Sequence, residues 1–118
     1  DDEIITEIEV PKPESAAKSA FLKFALRKSI DFPIVNCAVR ISTKDSKVEN
    51  ARICLNAVYV KPYRAFKAEE AIVGKPLDET GAEAAGDAAV SHAKPLHDNA
   101  YMVQAAKTMV KRAILACN

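Results

Sequence analysis

Apolar and polar residues alternate at the start of the chain. Ile4, Thr6, Ile8 and Val10 fall on one side and Ile5, Glu7 and Glu9 on the other, which predicts a half-exposed strand over residues 3–10. Pro11 and Pro13 end it, because neither can donate to a ladder and each restricts the residue before it. Two further β-rich runs, residues 34–42 and 48–60, are joined by the polar stretch Thr43-Lys44-Asp45-Ser46-Lys47 and predict a hairpin. In the second run Ala51, Ile53, Leu55, Ala57 and Tyr59 share one face, with Arg52, Cys54 and Asn56 on the other.

The pattern then becomes helical. Residues 67–73 form a short helix that stops at Gly74, which suits the position just past a helix end, with Pro76 beyond it. An Ala-rich helix over residues 79–93 ends before Pro95. A last helix opens at Asp98 as N-cap and sets Val103, Ala106, Val110 and Ile114 close to one stripe, which reads as core. Strand formers dominate residues 1–66 and Ala, Glu and Lys dominate the remainder, with no βαβ alternation. That order predicts an α+β fold: an antiparallel sheet of three to four strands with about three helices packed on one face.

Residues 15–34 fit two descriptions. The apolar density at Ala20, Phe21, Leu22, Phe24, Ala25 and Leu26 suits a short helix, yet Leu22, Phe24 and Leu26 alternate with Lys23, Ala25 and Arg27 as in a strand. Positions four apart share a face in either case, so Lys23 and Arg27 project together. Two cations beside Phe21 suit an anionic or carbonyl-rich planar ligand; they equally suit a solvated basic face.

Composition narrows the function classes. The 118 residues, 49% apolar and 28% charged, make one domain spanning residues 1–118 that can bury a core without disulfide or metal. A net charge of +1 argues against electrostatic binding of nucleic acid. No apolar run approaches the roughly 20 residues of a membrane span, and the acidic start Asp1, Asp2, Glu3 is the opposite of a signal peptide. Cys37, Cys54 and Cys117 are isolated, with no CxxC pair and only two histidines, so they read as small apolar residues of a cytoplasmic protein rather than metal ligands. Three glycines and no Gly-rich loop mean that any cofactor site must be completed from outside the chain.

A family resemblance enters at the ambiguous segment. The run Phe21-x-Lys23-x-x-x-Arg27-x-x-x-Asp31-Phe32-Pro33-Ile34-Val35-Asn36-Cys37-Ala38-Val39 resembles the start of the C-terminal domain of the FAD-binding (medium) subunit of molybdenum hydroxylases, the carbon monoxide dehydrogenase and xanthine dehydrogenase group. Similar matches follow in order: Ala51-Arg52-Ile53, Ala57-Val58, Lys61-Pro62-Tyr63-Arg64-Ala65, Ala68-Glu69-Glu70-Ala71-Ile72-Val73-Gly74-Lys75-Pro76-Leu77, and Asp98-Asn99-Ala100-Tyr101 into Val110-Lys111-Arg112-Ala113-Ile114. Residues 2–8 with Pro11 are similar to the junction that leads into this domain from the FAD-binding portion, which implies that two upstream FAD-binding subdomains lie outside the chain.

The resemblance implies an electron relay. A molybdopterin large subunit and an iron–sulfur small subunit carrying [2Fe-2S] clusters would feed FAD, which passes electrons to NAD or another acceptor. By position, Phe21 stands where the family often has a Tyr beside the isoalloxazine ring, Lys23 where a Lys lies near the flavin edge, and Arg27 and Asp31 frame the loop against the flavin. The domain alone is expected to be inactive, and not to hold FAD by itself. The alternative reading is a free-standing, non-enzymatic α+β interaction module. A third is a small enzyme using His92 or His97 as base.

Overall fold

The structure, a computed structural model, describes residues 2–12, 16–28 and 30–118. The expected stop at Pro13 and the first residue of the ambiguous segment, Ser15, lie outside the described residues. Four strands, β1 (Ala17–Phe24), β2 (Val35–Lys44), β3 (Lys47–Asn56) and β4 (Tyr63–Arg64), form one antiparallel sheet in sequential order. Three helices follow, α1 (Phe66–Ile72), α2 (Glu79–Val90) and α3 (Tyr101–Leu115), and α1 and α3 pack against the sheet. This is the α+β architecture the sequence predicts, although the strands are not all the expected ones.

The ambiguous segment is a strand only over Ala17–Phe24; Arg27 lies in the loop beyond it, so Lys23 and Arg27 do not share a strand or helix face as expected and meet instead through that loop. Ala20 lies opposite Val39 and Leu22 opposite Cys37, and both β1 side chains pack at the margin of the core. Pairing with β2 therefore decides the conformation that local density left open. Residues 3–10, by contrast, form no strand; Ile4, Ile5, Ile8 and Val10 are all exposed. Alternation makes a segment fit for a strand, but the stabilisation comes from a neighbouring ladder, and β1 already occupies the edge of β2.

The hairpin is tighter than its polar stretch suggests. β2 and β3 leave only Asp45 and Ser46 between them, at φ 50° and 61°, the left-handed pair of a two-residue type I′ turn, with a register shift between Ser42 and Thr43. β3 ends at Asn56 rather than running to Val60. Ala57 turns the chain at φ 65°, and Tyr63 and Arg64 return opposite Leu55 and Cys54.

Gly74, at φ 79°, stands just past the Val73 C-cap of α1 as expected, and its N–H donates to the Val48 carbonyl at 2.8 Å while Val48 N–H donates to Lys75 O at 2.9 Å, so this turn pins the helix exit to β3. Two other helix boundaries differ. α2 ends at Val90, not at residue 93. α3 begins at Tyr101, not Asp98. The Asp98 carboxylate meets His97, and no side chain caps the helix. α2 is capped by Asp78, a residue the sequence reading did not single out, whose Oδ1 accepts from Gly81 N–H at 2.7 Å.

The core lies between sheet and helices. Val35, Cys37, Val39 and Ile41 of β2, with Ala51, Ile53 and Leu55 of β3, meet Ile72, Ala85, Val110, Ala113 and Ile114. Small residues let α2 and α3 approach closely: a Cβ at Gly86 would stand 2.9 Å from the Lys107 carbonyl. On the outer side of that contact Lys111 pairs with Glu79 at 2.9 Å and Lys107 with Asp87 at 2.6 Å. No helix among the described residues is long and apolar enough to cross a membrane.

Ala57 offers a direct test of this backbone. A left-handed L-residue costs about 1–2 kcal/mol and glycine does not carry that strain. Ala57→Gly is expected to stabilise the chain by about 0.5–1 kcal/mol in urea denaturation, a little less than the strain relieved because glycine is freer when unfolded. An unchanged or lowered midpoint would contradict the turn.

Candidate functional site

The helices cover one face of the sheet and leave the other open. Register places Phe21, Ala38, Cys54 and Arg64 in one row across all four strands, Ser19, Arg40 and Arg52 in the row on one side, and Lys23, Asn36 and Asn56 on the other. Small side chains in mid-sheet leave an open depression of ≈ 490 Å³ between the Phe21 ring and Arg40, Arg52 and Arg64. Phe21 is 62% exposed although it sits within a strand.

Beside Phe21, the β1–β2 loop is organised by one carboxylate. Asp31 accepts from Arg27 twice through the guanidinium, Nη2 to Oδ1 at 3.0 Å and Nε to Oδ2 at 3.2 Å, and also from the Arg27 and Phe32 amides at 3.1 and 3.0 Å. Lys23 Nζ donates to the Asp31 carbonyl at 2.6 Å. The Arg27 guanidinium holds the Asp31 carboxyl below its usual value, and Asp31 in turn raises Arg27. Lys23, Arg27 and Asp31 thus meet in one cluster, while Phe21 stands on the adjoining sheet face, two residues before Lys23 on the same outward side. The loop so held displays Leu26, Ile30 and Phe32 almost wholly to solvent.

A second carboxylate works from the other end of the sheet. Glu69, on α1 and 7% exposed, accepts from the Ile53 amide at 2.9 Å and takes a bidentate contact from Arg64 at 2.9 Å on each oxygen. Arg64 also lies over the Phe66 ring, 4.4 Å from its centroid. Burial pushes the Glu69 carboxyl up, but the Arg64 and Ile53 hydrogen bonds and the charges of Arg64 and Arg52 outweigh it, leaving Glu69 below the ordinary carboxylate value. Sequence reasoning missed this network because Arg64 and Glu69 are five residues apart across a strand–helix boundary, a spacing that no single-element periodicity marks. Arg52 was legible as an outward residue of β3; its place opposite Arg40 required the register.

The remaining reactive residues do not join these clusters. Burial pushes the Cys37 thiol up to about 12, with Cys54 and Cys117 nearby adding to the shift, and burial also raises Cys117. His92 contacts Lys67 and His97 contacts Asp98, both at the surface and neither lining the depression.

The sheet is thus covered by helices on one side and bare on the other, with an exposed ring, a cation and a clamped loop at the edge of the bare side. The chain belongs to the CO dehydrogenase flavoprotein C-terminal domain family, whose profile matches residues 20–117. It is 31% identical over 119 residues to the nicotine 6-hydroxylase medium subunit of Paenarthrobacter nicotinovorans, across 97% of this chain and 41% of that subunit. Among solved structures it is similar to carbon monoxide dehydrogenase from Hydrogenophaga pseudoflava, with TM-score 0.84 at 33% identity over 92% of this chain and 39% of that one. It is also similar to quinoline 2-oxidoreductase from Pseudomonas putida 86, with TM-score 0.80 at 30% identity over 86% and 37%. The chain spans about two fifths of the length of these relatives.

The Glu69 network carries a pH signature. The folded protein keeps Glu69 ionised to lower pH than the unfolded chain does, so its contribution is complete above the ordinary value of 4.5 and is lost as pH falls through the lowered one. Glu69→Gln is expected to cost about 1–3 kcal/mol at neutral pH, by leaving Arg64 and the Ile53 amide poorly partnered. Urea midpoints at pH 7 and pH 3 check this: the gap between parent and variant should narrow at pH 3, and a variant as stable as its parent at pH 7 would contradict it.

Proposed function

We propose that this chain is the domain of an FAD-binding subunit that supplies one wall of the flavin site in a molybdenum-containing hydroxylase. The observation that carries the reading is the Phe21 ring, 62% exposed on the open sheet face, with Lys23 the next outward residue of β1 and anchored to the Asp31 carbonyl. An exposed aromatic ring offers a π face to a planar ligand, and a fixed ammonium offers charge at its edge. The residues suit the ring end of FAD rather than its pyrophosphate: of three glycines, Gly81 and Gly86 lie inside α2 and Gly74 makes a turn, so there is no Gly-rich phosphate loop among the described residues.

When bound, FAD supplies the electron-transfer chemistry, between iron–sulfur clusters and an acceptor such as NAD. This chain's own share is placement and charge. Phe21 packs against the ring system, Lys23 favours negative charge at its edge, and Asp31 fixes Lys23 and Arg27 so that neither must be ordered when the wall closes. The partners in this reading are the upstream FAD-binding subdomains, an iron–sulfur small subunit and a molybdopterin large subunit. Free thiols at Cys37, Cys54 and Cys117 suit a reducing cytoplasm.

The test uses the complete subunit. Removing a positive charge near the ring by Lys23→Ala is expected to lower the flavin potential by about 20–60 mV, the two-electron equivalent of roughly 1–3 kcal/mol. Phe21→Ala is expected to weaken FAD about tenfold, while Phe21→Tyr retains it. A potential and an FAD affinity unmoved by Lys23→Ala and Phe21→Ala would overturn the reading.

A further inference from the structure

The row beside Phe21 on the side away from the arginines carries two side-chain carboxamides. Lys23 on β1, Asn36 on β2 and Asn56 on β3 are successive cross-strand partners, and alternation with the buried Val35, Cys37 and Leu55 turns both asparagines outward. Asn56 is exposed and Asn36 half-buried, and neither carboxamide has a hydrogen-bond partner among the described residues. Opposite Phe21 stands Ala38, small and exposed, so a flat group laid on the Phe21 ring has room to extend across β2.

We infer that Asn36 and Asn56 read the pyrimidine edge of the flavin, where an imide N–H lies between two carbonyls. The inference rests on the flavin-wall reading and deepens it. Such an edge asks for donors to its carbonyls and an acceptor for its N–H. A carboxamide supplies both, whereas the guanidinium groups of Arg40 and Arg52, in the row on the other side of Phe21, only donate, and Ser19 adds a single hydroxyl there. As direct cross-strand partners, Asn36 and Asn56 stand about 5 Å apart at Cβ, the scale of an imide edge. Lys23, with Nζ fixed 2.6 Å from the Asp31 carbonyl, closes the row at its β1 end with a positive charge. Once the face is covered, a ligand without the imide N–H leaves a side-chain carbonyl unpaired, so the pair selects as well as binds.

The test uses the complete subunit freed of FAD, titrated with FAD and with 3-methyl-FAD, in which a methyl group replaces the imide hydrogen. The parent is expected to bind FAD about tenfold or more tightly than the methylated form. Asn36→Ala and Asn56→Ala are each expected to weaken FAD about fivefold to tenfold, with urea midpoints unchanged as the sign of an intact sheet. In the double variant the two flavins should bind within about threefold of each other. A parent that takes both flavins alike overturns the inference, as does a double variant that binds FAD as the parent does or rejects the methylated form as strongly. A loss of equal size for both flavins marks the asparagines as supports of the sheet face and also overturns it. The flavin-wall reading is judged separately, on Phe21→Ala and Lys23→Ala: an FAD affinity that falls with Phe21→Ala and not with the asparagine variants leaves the wall standing without this edge.

Discussion

The Glu69 carboxylate sits where α1, β3 and β4 meet, and each of the three depends on it. β4 is only two residues long, so it cannot satisfy the β3 edge along its length; the Ile53 amide is satisfied by a side chain from the helix layer instead. The same carboxylate holds the Arg64 guanidinium, which belongs to the opposite face of the sheet. A single buried charge thus couples the covered layer to the bare one. The desolvation of that charge is tolerable only because all its hydrogen bonds are made at once.

Asp31 plays a parallel part in the loop after β1, outside the core. It uses both oxygens, its carbonyl and two neighbouring amides to hold a loop whose apolar side chains face solvent. Exposed ion pairs contribute little to global stability, so this cluster matters for geometry. It keeps Lys23, Arg27 and the Phe32 amide in one arrangement before anything binds them. The two carboxylates together shape a surface with an aromatic ring at its edge and arginines in its middle, which suits a wall and not an enclosure.

Much of this was legible from the residues. Strand alternation put Ala51, Ile53 and Leu55 on one face, which is the buried one, because a one-residue slip would expose all of it; Ala57 and Tyr59, read onto the same face, lie beyond the end of β3. Helix positions were legible from the switch to Ala-rich sequence, and an ordered motif picked out Lys23, Arg27 and Asp31, which meet in one cluster, with Phe21 on the sheet beside them. What could not be read was pairing. Residues 3–10 alternate as well as β3 does but have no ladder, whereas residues 17–24 look half helical and take the edge of β2. The Asp98 cap failed for a similar reason: its neighbour His97 competes for the carboxylate, and α3 starts three residues later. Arg40 opposite Arg52 and Arg64 on Glu69 are products of register and layering, which no local pattern encodes.

The strands follow one another in the sheet in the same order as in the chain, and the helices come after them. Every strand therefore pairs with its chain neighbour, through connections as short as two residues, and no crossover must be threaded. Closing short loops costs little entropy, and folds rich in such local pairings form quickly. The meander can be complete as soon as the chain has emerged, so whatever meets this sheet meets a formed surface, at a rate governed by how fast two bodies find each other and not by how fast this one folds.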